Sequence, residues 1–184
     1  MNQHDMTRNM VLAALFAALT AIGAFLQIPT GTVPITLQFL FTALAGLLLG
    51  RKWGAISQLL YVGIGLLGLP VFTQGGGIGY VLQPSFGFLL GLIPAAAVIG
   101  ALTARRTGYL TVLAAVLVGD LILYAVGVPY MYLILHVYMQ SAKTFPALLA
   151  AMLVYVPGDT LKIVVVTALA PVLRRTLAKA VPNL

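Results

Sequence analysis

The sequence predicts an all-α integral membrane protein: six transmembrane helices in one compact bundle, with both termini cytoplasmic. Three observations predict it. Hydrophobic residues make up 61% of the chain and charged residues 7%, with a mean hydropathy of +1.08, whereas soluble domains carry about 25% charged residues. The 184 residues divide into six apolar stretches bounded by charge, Gly or Pro, which leaves a single transmembrane domain with no room for a soluble enzyme domain. The bases are also asymmetric. Arg8, Arg51, Lys52, Arg105, Arg106, Arg174, Arg175 and Lys179 fall at one set of span ends, Lys143 alone falls at the other, and Lys162 lies inside a span. A net charge of +7 therefore marks cytoplasmic loops rather than a nucleic-acid surface.

The first span is expected over 10–28. The start MNQHDMTRNMVLAALFAAL has the basic-then-apolar form of a signal peptide, but further apolar spans follow, so it is expected to be retained. Ala13, Ala17 and Ala21 recur at spacing four beside Ala14 and Ala18, giving a smooth face that another helix can approach closely. That face suits either internal packing or an external partner, and it leaves self-association open. Spans two and three, 34–50 and 54–69, are short and joined by Arg51 and Lys52. They require thinned lipid or ends that reach the interface.

Residues 69–87 read LPVFTQGGGIGYVLQPSFG. A Gly-rich chain cannot satisfy its own amides in lipid, so this loop must fold over protein or water. Glycines at 75, 76, 77 and 79 permit positive φ and close approach to a ligand. The loop reads as a lid, with Phe72, Gln74, Gly77, Tyr80, Gln83 and Phe86 as candidate contacts, or else as a flexible linker. Spans four and five are expected over 86–104 and 109–126. The connection from Gly127 to Pro146 carries Tyr130, Tyr132, His136 and Tyr138, so it is expected to lie along the outer interface as a second flap.

The sixth span, 147–173, contains VYVPGDTLKIVVV. Asp159 and Lys162 are three residues apart and share a helix face. Either ion alone would cost at least roughly 2.5–3.5 kcal/mol inside a membrane. Together and facing inward they become tolerable, and Pro157 and Gly158 are expected to loosen the helix beside them. Asp120 on the fifth span, followed one turn later by Tyr124, is expected to join the same network. Intramembrane ions usually mark a ligand or ion path. The competing readings are a pair that only packs helices, and a proton relay, which the aliphatic inner half of the spans disfavours.

Catalysis is not expected. His136 and Ser85 are the available base and nucleophile, and no motif joins them. Two separated His and three separated Asp do not make a metal site, the chain has no Cys, and it has no P-loop for ATP. No cofactor is expected.

PITLQ at 34–38, GLPVF at 68–72 ahead of the Gly-rich loop, GDLILY at 119–124 and PGDTLK at 157–162 together resemble the BioY family, the biotin-specific substrate-binding components of energy-coupling factor (ECF) vitamin transporters. The resemblance covers nearly the whole length. It implies a multi-pass protein of a bacterial plasma membrane that captures biotin from outside and is not itself an enzyme. It also implies partners, a transmembrane coupling protein and two ATP-binding cassette ATPases. In such families the Ala-rich first helix meets the coupling protein, which maps to Ala13, Ala17 and Ala21, and the acid and base of PGDxxK belong to the vitamin pocket, which maps to Asp159 and Lys162. Where many members have a GPTGG-like end to the loop, this chain has QPSFG at 83–87. Biotin presents a ureido carbonyl, two ureido N–H groups, an apolar ring and a carboxylate. Asp159 can accept from an N–H and Lys162 can only donate, so the pair is expected at the ureido end, with Phe72, Tyr80, Phe86 and Tyr124 as walls. A component for another vitamin and a self-sufficient or proton-coupled carrier are the alternatives.

Overall fold

The computed structural model describes residues 3–30, 33–105 and 108–180, with only the backbone of 177–180. Arg106 and the middle of the 28–33 connection lie outside the described residues. Helix α1 (Gln3–Phe25) leads into strand β1 (Gln27–Ile28), which pairs antiparallel with β2 (Ile35–Thr36). Then follow α2 (Gln38–Leu66), a 3-10 turn (Ile78–Leu82), α3 (Phe86–Leu102) and α4 (Tyr109–Leu133) with a π turn (Ile134–Tyr138). The last described elements are α5 (Phe145–Ala151), a 3-10 turn (Met152–Val154) and α6 (Val156–Ala180).

Among the described residues four helices are long and apolar enough to cross a membrane, and α3 is a shorter apolar one. The fold still has six spanning segments, because α2 is a hairpin. Gly50 at φ 75°, ψ −177° interrupts it, a conformation open essentially to glycine alone. On either side the arms run back along each other. Gln38 bonds Tyr61, Thr42 bonds Gln58, and a Cβ on Gly54 would lie 2.7 Å from the Gly46 Cα. Two glycines thus let the arms touch just before the turn. The second span starts at Gln38 rather than residue 34, because residues 35–36 are spent in the β pair.

Two further expectations are corrected. The fifth span does not end at 126: α4 runs on to Leu133 and its π turn to Tyr138, so Tyr130 and Tyr132 are helical rather than part of a flat flap. Gly127 is a packing site and not a break, since a Cβ there would collide with the Phe88 ring. Tyr130 packs on Phe86 and donates to the Val81 carbonyl, which anchors the added turns. The sixth span is divided at Met152–Tyr155, and Pro157 and Gly158 begin α6 instead of loosening its middle. Proline suits a first helical turn, where its missing N–H has no partner to lose.

The main core is formed by α1, α2, α3, α4 and α6, and a second cluster of Val33, Val128, Met131, Leu135, Leu148 and Met152 caps one end of the bundle. Exposed Val11, Leu15, Ile22, Leu117, Leu121 and Leu161 form the outer surface, as a lipid-facing bundle requires. At the other end Arg174 of α6 donates to the carbonyls of Leu47 and Thr103 at 2.8 and 3.4 Å. One guanidinium therefore serves the C-terminal ends of two helices, where the dipole favours a cation. On α1, Ala13 and Ala17 are buried in the chain's own core, Ala21 is half-buried, and Ala14 and Ala18 are exposed. This corrects the expectation that Ala13 and Ala17 face a partner.

Candidate functional site

Between α2, α3, α4 and α6, under the capping cluster, lies a cavity of about 620 Å³, its open mouth included. α6 supplies Asp159 and Lys162, whose charged groups meet at 2.5 Å with both residues buried. Asp159 sits in the first turn of α6, where its main-chain N–H bonds the Tyr155 carbonyl at 2.9 Å and its negative charge suits the helix N-terminus. The Tyr124 hydroxyl donates to Asp159 Oδ2. Lys162 Nζ also donates to the Thr36 carbonyl at 3.3 Å. The pair is thereby held from three sides, by α6, α4 and the β pair.

The glycine-rich loop folds over protein, as its backbone demanded. The Gly77 amide bonds the Gly65 carbonyl at 2.7 Å, with Gly77 at φ 99°. Phe72 is buried beneath the loop against Tyr61 and Tyr80, with ring centroids 5.5 and 4.6 Å away. Tyr80 reaches the cavity, and its hydroxyl contacts Thr73 at 2.8 Å and Ser85 at 3.4 Å, two more lining residues. Gln27 of the β pair clasps the loop through the Thr73 carbonyl at 3.2 Å.

Of the residues singled out in the sequence, Asp159, Lys162, Tyr80 and Tyr124 converge on this cavity. Phe72 and Phe86 do not line it. Phe72 underlies Tyr80, and Phe86 packs between Tyr80 and Tyr130, so both support the wall from behind. Gln74 and Gln83 are exposed and Gly77 is committed to Gly65, so these three stay out of the cavity. Asp120 lies one turn before Tyr124 and outside the lining, with a buried Oδ1 that has no hydrogen-bond partner among the described residues. His136 stacks on Tyr132 with centroids 5.3 Å apart and does not line the cavity, whereas Ser85 does.

Several lining residues escaped the sequence reading. Thr36 and Gln38 were present in PITLQ at alternating positions, the spacing that puts two side chains on one face of an extended segment. Tyr155 preceded PGD, and its hydroxyl now donates to the Val33 carbonyl and lies 2.9 Å from the Thr30 hydroxyl, closing the wall beside Asp159. Phe39, Phe88, Leu89, Leu92, Leu123 and Met152 give the apolar remainder. Nothing distinguishes them in the sequence from other apolar residues of their helices.

The resulting chemistry is that of a binding site for a compact, partly polar molecule: a carboxylate, an ammonium, hydroxyls and a carboxamide set in apolar and aromatic walls. Among the described residues no three His, Cys, Asp or Glu side chains group as metal ligands.

The model of the BioY family matches residues 1–179. A probable biotin transporter BioY of Lysinibacillus sphaericus is 52% identical over 147 residues, 79% of this chain and 75% of that protein. The biotin transporter BioY of Thermotoga maritima is 35% identical, covering 89% of this chain and 94% of its own length. The crystal structure of the S-component for biotin from an ECF-type ABC transporter superposes with a TM-score of 0.82 at 29% identity, over 95% of each chain.

Proposed function

The chain belongs to the BioY family, and from that premise we propose that it is the biotin-binding S component of an ECF-type vitamin transporter. The observation that carries this reading is the buried Asp159–Lys162 pair, 2.5 Å apart in the wall of the cavity. An isolated buried pair is poor value as a helix fastener, because desolvation offsets most of its attraction. A ligand that needs one acceptor and one donor gives it a use. The biotin ureido group sits at this pair, its fused ring lies against Tyr80, Tyr124, Phe88 and Leu92, and the loop with Tyr80 and Thr73 covers it.

The capping end faces outward and the basic end, with Arg51, Lys52, Arg105 and Arg174, faces the cytoplasm, so both termini are cytoplasmic in a bacterial plasma membrane. Transport is driven by partners, a transmembrane coupling protein and two ATP-binding cassette ATPases. The coupling protein meets α1, where Ala21 remains half-accessible and Ala14 and Ala18 carry the same small-residue spacing to the exposed side.

Reconstitution tests the reading. Vesicles holding this chain alone bind labelled biotin without accumulating it, and accumulation requires ATP with the coupling protein and ATPases present. Accumulation by the chain alone would make it a self-sufficient carrier instead.

A further inference from the structure

The proton arrangement around Gln38 points to a specificity device one layer behind the cavity wall. Gln38, the first residue of α2, is buried and lines the cavity, and both ends of its carboxamide are engaged. Its Nε2 lies 2.7 Å from the Tyr61 hydroxyl, and its Oε1 lies 2.9 Å from the Thr36 hydroxyl.

The protons decide which way round this amide sits. Tyr61 has one hydroxyl proton, and its oxygen also meets the Val71 carbonyl at 3.1 Å. A carbonyl only accepts, so Tyr61 gives its proton to Val71 and must accept from Gln38. The amide nitrogen is therefore turned toward Tyr61. At the other end, Thr36 Oγ1 accepts the Gln38 main-chain N–H at 3.4 Å, which leaves the Thr36 proton for the Gln38 oxygen. Reversing the amide would set Gln38 Oε1 and the Val71 carbonyl competing for one proton and would strand the Thr36 proton. Both ends agree on one orientation.

We propose that Tyr61 is a positioning residue that fixes Gln38 with its carbonyl oxygen toward the cavity, as a second acceptor beside Asp159 for a ligand with two N–H donors. The inference rests on the biotin reading and deepens it. A cyclic urea offers two N–H donors and one carbonyl. Both Asp159 oxygens already receive donors, from Lys162 and Tyr124. The Gln38 oxygen spends one lone pair on Thr36 and keeps the other for the ligand. Asp159 and Gln38 as acceptors and Lys162 as donor complete the complement of a urea. A ring with only one N–H leaves Gln38 unmatched and is rejected, because a buried polar group without its partner loses a full hydrogen bond. Tyr61 is 1% exposed and its ring is pinned edge-on by Phe72 at 5.5 Å, so its hydroxyl cannot turn away.

The test is calorimetric titration of the full chain in detergent with biotin and with the two cyclic carbamate analogues, in each of which oxygen replaces one ureido N–H. Tyr61→Phe is expected to weaken biotin binding about tenfold. In a Gln38→Leu background Tyr61→Phe is expected to add less than about twofold, because Tyr61 acts through Gln38. Both carbamates bind the wild-type chain at least about tenfold more weakly than biotin; in Gln38→Leu that discrimination disappears for one of them, the analogue without the N–H that meets Gln38, and remains for the analogue without the N–H that meets Asp159. An equal Tyr61→Phe loss in both backgrounds, or discrimination against both carbamates that survives Gln38→Leu, would overturn the proposal. The carbamate comparison stands even if Tyr61→Phe fails to fold. A folded wild-type chain that binds no biotin would remove the functional reading itself, whereas biotin binding indifferent to Gln38 removes this inference alone.

Discussion

Replacing Lys162 with Met separates a ligand site from a structural ion pair. The substitution keeps an apolar stem of similar length and deletes the ammonium, which contacts Asp159 at 2.5 Å and the Thr36 carbonyl at 3.3 Å. Two losses follow, and they are read in different assays. For stability, breaking a buried pair by removing one partner costs about 3–5 kcal/mol, since the buried Asp159 keeps only Tyr124 and its helix N-terminus as compensation. For binding, a hydrogen bond from a charged donor contributes about 1.5–3 kcal/mol. At about 1.4 kcal/mol per decade, that is roughly a tenfold to hundredfold rise in Kd. Asp159→Asn is expected to weaken binding by more than about tenfold for the same reason. The double variant Asp159→Asn, Lys162→Met removes both charges, so it recovers much of the stability while affinity stays low. Thermal unfolding in detergent and biotin titration of the same preparations measure the two effects. A folded Lys162→Met protein with wild-type affinity would refute the reasoning, and would leave the pair as a helix fastener.

Two further predictions concern the scaffold. Gly50→Ala meets no neighbouring atom within 4 Å, but its φ of 75° and ψ of −177° exclude a side chain. It is expected to lower stability by about 1–3 kcal/mol through backbone strain alone, seen as a lower melting temperature with biotin affinity per folded molecule unchanged. Arg174→Met releases the carbonyls of Leu47 and Thr103. A loss of about 1–3 kcal/mol is expected for groups left without their donor, measured by unfolding, together with faster hydrogen exchange at the basic end of α6.

The part of this architecture legible in the sequence is the part written in composition and local spacing. Six apolar stretches gave six spanning segments, and the three-residue spacing of Asp159 and Lys162 gave their contact. The errors arose where tertiary packing overrode local signals. Gly127 and Pro129 read as a loop, yet Phe88 fills the space beside Gly127 and Tyr130 ties the next turn to Val81, so the helix continues. Ala13 and Ala17 formed a smooth stripe, but spacing alone does not say whether such a stripe turns in or out, and here it turns in. Gln74 and Gln83 belong to the lid the sequence predicts, whereas the loop's fold sends them to the exposed side and sends Thr73 and Ser85 inward. Gln38 carries no role legible in its motif, because its role depends on Tyr61 and Val71, partners 23 and 33 residues away.

The most direct test of the central claim is calorimetric titration of the detergent-purified chain with biotin, alongside biotin methyl ester. The account predicts tight one-to-one binding of biotin, a measurable affinity for the ester because the ureido end still meets Asp159 and Lys162, and loss of both signals in Lys162→Met. No heat with biotin from a wild-type chain shown to be folded would contradict the assignment of this cavity to biotin.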